Sequence, residues 1–253
     1  MCGRFALAAS PEQLARQFDL PLPVPVLKPR YNIAPTQPVA VVRIGAAADR
    51  SRELGITQWG LVPEWAKDPS IGNRMINARA ETLAEKPSFR AAFKRRRCLI
   101  PATGFYEWRA TSDKKKQPYF VRPRGATAKA AGDASEGSTG TSELFAFAGL
   151  WEVWFSEDGS EIQTCTIITT AANRIMADLH HRMPVILAPE DYAGWLNPDT
   201  DDPGVLRNYL KQYSSEKMRY DSVDQAMNSP RNDSAACIEV VTLRNAPSLF
   251  GDI

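Results

Sequence analysis

Residues 144–172 read LFAFAGLWEVWFSEDGSEIQTCTIITTAA. Two strand-like runs, LFAFAGLWEVW and EIQTCTIITTAA, stand on either side of a short polar break. Aromatic and β-branched residues pack well on a pleated surface, so both runs are predicted strands. The same composition recurs upstream in PVAVVRI, ELGITQWGLV, CLIPATGFYEW and PYFVRP, and downstream in AACIEVVTL, which is expected to be a final strand. Helices are fewer. Residues 11–18, PEQLARQF, form one, with Pro11 in the first turn and Ser10 as cap. MINARAETLAEKPSFRAAFKRRR reads as a strand end or loop followed by a helix with a basic end, and PEDYAGWLN and PGVLRNYLKQY as helical. PLPVPVLKPRYNIAPTQP has too many prolines for a helix interior and reads as extended chain wrapping the body. Residues 124–142, RGATAKAAGDASEGSTGTS, are a low-complexity insertion expected to be a flexible surface loop. No regular βαβ alternation and no repeat is present. The expected fold is therefore α+β: one domain over residues 2–253, of curved, mostly antiparallel, barrel-like sheets with peripheral helices.

With 253 residues the chain is long enough to bury a substantial core. A net charge of +2 selects neither for nor against nucleic acid. Cys2, Cys98, Cys165 and Cys237 form no C-x-x-C pair and no zinc spacing. There is no signal-peptide h-region and no apolar run near the roughly 18–20 residues of a membrane span. Reduced thiols in a cytoplasmic compartment follow, with no metal and no cofactor expected. Cys98, Cys165 and Cys237 lie in strand-like surroundings and read as small buried hydrophobes.

Cys2 is different. The chain begins MCGRF, and the small second residue suits removal of Met1. An N-terminal cysteine then carries an amine and a thiol on adjacent carbons. The α-amine, with a reference pKa of about 7.7–8.0, is partly neutral near pH 7 and attacks aldehydes. The neighbouring thiol adds to the resulting imine, closing a thiazolidine in an intramolecular step. Beside this stand arginines (Arg4, Arg79, Arg109, Arg182) and tryptophans (Trp59, Trp65, Trp108) between apolar segments. Converging arginines and exposed aromatics are the parts of a single-strand nucleic-acid groove; each tryptophan can equally be core. His180 and His181 are the two histidines of the chain, so a general acid–base histidine must be one of them. G-x-S-x-G, Walker and G-x-G-x-x-G motifs are absent.

In order along the chain, MCGRF, YNIAPTQ, WGLVPEWAKD, NARAET, P-A-x-GFYEW and H-x-RMPVIL together resemble the SOS-response-associated peptidase (SRAP) family, from residue 2 to about residue 198. The resemblance implies an SRAP-like fold and a protein of the DNA damage response that senses abasic sites in single-stranded DNA and cross-links to them. It implies that Cys2 is the cross-linking residue, that Asn77 holds the amine and the sugar, that Glu107 moves a proton during ring opening, and that His180 rather than His181 is the catalytic histidine. Arg4, Arg79 and Arg182 would bind phosphates, Trp65 and Trp108 would contact DNA, and Asn32, Pro35 and Thr169 would line the site. The partner would be abasic single-stranded DNA met by a monomer, nucleoid-associated when bound.

The expected chemistry runs from the open aldehyde of the abasic sugar, through a Schiff base with Cys2, to a thiazolidine, with β-elimination of an unclosed imine as a lyase side path. Glu107, flanked by Tyr106 and Trp108, would need burial to hold its proton. Two other functions fit the same residues. One is a cysteine-type autopeptidase removing its own Met1. The other is a non-covalent reader of single-stranded or modified DNA.

Overall fold

In the computed structural model, which describes residues 2–110, 116–124 and 144–242, the opening stretch is a long antiparallel strand pair. In chain order the strands are β1 (Phe5–Leu7), β2 (Arg30–Ile33), β3 (Pro38–Ile44), β4 (Arg52–Trp59), β5 (Asn77–Arg79), β6 (Arg97–Ala102), β7 (Gly104–Ala110), β8 (Lys116–Pro123), β9 (Phe145–Phe155), β10 (Glu161–Ala171), β11 (Arg182–Pro184), β12 (Ile186–Leu187) and β13 (Met218–Ser222). The helices are α1 (Pro11–Phe18), α2 (Arg90–Arg95), α3 (Tyr192–Leu196) and α4 (Pro203–Arg207). The expected loop at 124–142 lies, apart from Arg124, outside the described residues.

β3, β4, β10, β9 and β6 close into a five-stranded barrel. Four of its seams are antiparallel; the fifth is parallel, where Thr164 and Cys165 of β10 face Gln58 and Trp59 of β4. Closure removes the edges that an open apolar sheet would expose. β6 is buried along its whole length because it has the barrel interior on one face and α3 packed on the other. Trp195 of α3 donates to the Cys98 carbonyl at 3.0 Å, and Arg97 turns its guanidinium onto the carbonyls of Phe93, Lys94, Trp195, Asn197 and Thr200. That one cation ties the ends of α2 and α3 to the barrel wall, and burial holds it down to about 10.

A second sheet, in the order β13-β8-β7-β1-β2, carries the N-terminus. Phe5 of β1 joins the two bodies: its ring meets Trp59 at 5.3 Å and Phe147 at 5.8 Å, both edge-on. Gly104 opens β7 because the Phe120 ring lies against it; a Cβ there would come within 2.0 Å of a ring carbon.

α1 spans the predicted residues, with a full capping box between Ser10 and Gln13 and with Leu14 and Phe18 buried. Two expectations are corrected. The helix expected over PGVLRNYLKQY stops at Arg207, where Tyr209 turns its ring onto Trp195 at 6.3 Å. The expected final strand is a 3-10 turn over Ala235–Ile238, followed by one bridge between Val223 and Val240. The outer edge of β2 is already taken: the Asp233 carboxylate accepts from the backbone N–H of Tyr31 at 2.5 Å and of Asn32 at 2.8 Å. A side chain thus fills positions that a further strand would have used.

Candidate functional site

Cys2 lies three residues before the start of β1, which pairs with β7. The pairing Phe5↔Phe105 and Ala6↔Gly104, extended by the bond from the Tyr106 amide to the Arg4 carbonyl at 3.0 Å, runs the first residues alongside Glu107 and Trp108. Cys2 has 0% exposure in a chain that still carries Met1. Burial pushes its thiol well up, and the nearby Glu107 pushes it further the same way. Glu107 is itself buried, and burial raises its carboxyl above the ordinary range. A carboxyl held above its ordinary range gives up its proton less readily to water and is better fitted to act as a general acid.

Asn77 connects this pair to the barrel. It begins β5, which runs parallel to β10 with Asn77 opposite Ile167. Its Nδ2 donates to the Cys2 carbonyl at 2.8 Å, while its Oδ1 is buried with no hydrogen-bond partner among the described residues. Arg79, two residues on, faces outward opposite Thr169. On the other side of β10, Thr169 pairs with Pro184 and Ala171 with Arg182. The ladder β5–β10–β11 therefore gathers Asn77, Arg79, Thr169 and Arg182 along one rim. His180 sits two residues before β11; its Nδ1 accepts from the Arg182 amide at 2.9 Å and its ring stacks on His181 at 4.2 Å. Burial lowers its pKa, so the neutral imidazole prevails near pH 7.

The remaining expected site residues differ in burial and partners. Asn32 is fully buried: its Nδ2 donates to the carbonyls of Met227, Ser229 and Asn232. Arg4 is spent largely inside, on Asn32 Oδ1 at 2.8 Å and on the carbonyls of Met227 and Asn228. Thr169 is likewise buried, with its hydroxyl on the Ala78 carbonyl at 3.3 Å. Arg109 does not join the rim residues; it lies over the Tyr119 ring. Pro35 is half-buried in the turn after β2. The tryptophans divide: Trp59 is core, Trp65 is 58% exposed, and Trp108 is half-buried with its Nε1 on Asn228 Oδ1 at 2.7 Å. Arg79 and Trp65 are thus the freest of the proposed DNA contacts.

Two features escaped the sequence reading. Glu81, inside NARAET, pairs with Arg182; its place in that motif was the available signal. The segment 227–233 holds Arg4, Asn32 and Trp108, and nothing in its sequence MNSPRND announced it. Among the described residues no group of His, Cys, Asp and Glu is clustered to hold a metal, and no helix is long and apolar enough to cross a membrane.

A family model described as SOS response associated peptidase (SRAP) matches residues 1–230. The chain is 43% identical over 241 residues to the abasic site processing protein YoqW of Bacillus subtilis (strain 168), an overlap of 94% of this chain and 99% of that protein. It is 31% identical over 229 residues to the abasic site processing protein HMCES of Rattus norvegicus, covering 83% of this chain and 64% of that one. A crystal structure of a protein from Bacteroides thetaiotaomicron matches with a TM-score of 0.78 at 25% identity, over 95% of this chain and 100% of that chain. On fold, motif order and sequence together, the chain belongs to the SOS response associated peptidase (SRAP) family.

Proposed function

We propose that this protein processes abasic sites in DNA, and that it does so by capturing the lesion covalently in single strands through Cys2 after Met1 is lost. The relatives named abasic site processing proteins support the first part. The second rests on one observation: the Asn77 Nδ2–Cys2 carbonyl contact at 2.8 Å, which ties the first residues to a strand paired with the barrel's β10, near buried Glu107.

Protonated Glu107 donates to the ring oxygen of the closed sugar as the C1′–O4′ bond breaks, and the C1′ hydroxyl gives its proton to neutral His180, leaving the aldehyde. The free amine of Cys2 adds to C1′, and water leaves as the imine forms. The thiol then adds across the C=N bond, sulfur to carbon and proton to nitrogen, to give the thiazolidine. Neutral His180 accepts and returns protons between these steps. The same groups run the sequence backwards when the DNA is re-annealed. An imine that does not close is open to β-elimination, which gives a lyase activity.

The chemistry requires that Cys2, sealed in the unprocessed chain, become accessible when Met1 is removed. A thiol reagent should therefore label Cys2 in the processed protein and not in a form with a retained or added N-terminal residue. Equal labelling of both would count against the proposal. Self-removal of Met1 would need a base close to Cys2, and Glu107 is near enough to shift the Cys2 thiol. Glu107→Gln protein that keeps Met1 while the parent chain loses it would establish that role. Cys2→Ser keeps the amine but not the thiol; it is expected to give a weak imine adduct that borohydride traps.

A further inference from the structure

The Glu81–Arg182 pair is not used by the mechanism above. The two side chains meet fork to fork, Nη1 to Oε1 at 2.7 Å and Nη2 to Oε2 at 2.9 Å. The Arg182 Nη2 also donates to the Thr169 carbonyl at 2.7 Å and lies 3.3 Å from its hydroxyl, and Nε is buried with no partner among the described residues. Every terminal nitrogen that a phosphate would use is thus engaged. The Arg182 side chain is 13% exposed, whereas that of Glu81 is 50% exposed. The carboxylate therefore lies on the solvent side of the guanidinium, where an incoming anion would arrive. Arg79 stands at the end of the adjoining strand, and its charge is felt at Glu81 too. Carboxylate and phosphate compete for the same bidentate geometry on arginine.

We infer that Glu81 is a resident competitor for the DNA phosphate at Arg182, and that it sets specificity by weakening the hold on undamaged strands. The inference rests on the DNA-binding role proposed above. Any strand that uses Arg182 must first displace Glu81, whatever its sequence. An intact strand has nothing to offset that cost and leaves. An abasic strand, once joined to Cys2, is retained by a bond that Glu81 does not oppose. Glu81 is here a positioning and selectivity residue, not a catalytic one. It also keeps the Arg182 fork in a fixed orientation until DNA arrives.

The test measures fluorescence anisotropy of a lesion-free single-stranded oligonucleotide with the parent protein, Glu81→Gln, Arg182→Gln and the double variant, at one salt concentration. Glu81→Gln should bind about three- to tenfold more tightly than the parent, and the gain should fall below about twofold in the Arg182→Gln background. A gain that persists without Arg182 would mean general removal of negative charge and would overturn the inference. Equal or weaker binding by Glu81→Gln would do the same, because Glu81 would then only orient Arg182. Glu81→Asp, which keeps the charge but is too short for the two-point contact, should fall between parent and Glu81→Gln; if Glu81→Gln does not fold, this variant carries the comparison. Covalent capture of an abasic oligonucleotide is followed in parallel. If the parent captures it and the Glu81 variants bind intact DNA as the parent does, only this inference fails. If the parent engages neither DNA, the functional proposal fails and takes this one with it.

Discussion

Replacing Asn77 probes the whole site through a single contact. Its Nδ2 donates to the Cys2 carbonyl at 2.8 Å from a strand paired to β10, so it ties Cys2, the residue proposed to react, to the barrel. A neutral hydrogen bond of this kind contributes about 0.5–1.5 kcal/mol net. If that energy is expressed in positioning Cys2, Asn77→Ala should slow cross-linking about 2- to 12-fold. Asn77→Asp keeps the shape but sets a carboxylate oxygen against a carbonyl oxygen, in a site already lined by Glu107. Leaving two acceptors face to face where a bond existed costs about 1–3 kcal/mol or more, since one is charged. The aspartate should therefore be slower than the alanine, by roughly 100-fold relative to the parent. It should also recover in acid. The new carboxyl has its pKa raised by these neighbours, the protonated form is populated below that pKa, and its O–H can donate to the Cys2 carbonyl. The assay is single-turnover cross-linking to an abasic oligonucleotide between about pH 5 and pH 8, with each rate divided by that of the parent to remove the titration of Glu107 and His180. An aspartate variant as fast as the alanine variant, or a ratio independent of pH, would refute the assigned role of Asn77.

Other outcomes follow from the same geometry. The Glu107 carboxyl, raised by burial, donates only below its pKa in the folded protein, so the acid-assisted rate should persist above the ordinary carboxylate range and decline as pH rises through the raised value; Glu107→Gln should remove that limb of the rate profile. Trp65→Ala should weaken single-strand binding by about 1–3 kcal/mol, the worth of a stacked base, and leave the melting temperature unchanged because the ring is 58% exposed. Arg97→Lys should lower the melting temperature by about 4–12 °C, since an ammonium cannot reach the carbonyls that the guanidinium joins and roughly 2–3 kcal/mol is lost; calorimetry checks it, and an unchanged transition would contradict the tethering role.

The barrel was legible because its strands carry their own signal. LFAFAGLWEVW is largely apolar and EIQTCTIITTAA is rich in β-branched residues, and both are buried over most of their length in the barrel. α1 was legible to the residue because Ser10, Pro11 and Gln13 form a local device that needs no tertiary partner. The sequence reading missed what depends on distant partners. AACIEVVTL has strand composition, yet Asp233 occupies the edge it would have joined. Arg4 and Asn32 sit in motifs whose family resemblance implies roles at the site, but segment 227–233 folds over them and takes their hydrogen bonds. At the candidate site, residue types were readable and their exposure was not: Arg79 and Trp65 are open, whereas Thr169 and Cys2 are sealed.

The most direct measurement is a denaturing gel of processed protein with a single-stranded abasic oligonucleotide, followed by mass spectrometry of the digested adduct. A heat- and detergent-resistant band should form only with the abasic strand, with the added mass on a peptide that begins at Cys2. No such band, or an adduct mapped to any residue other than Cys2, would contradict the account.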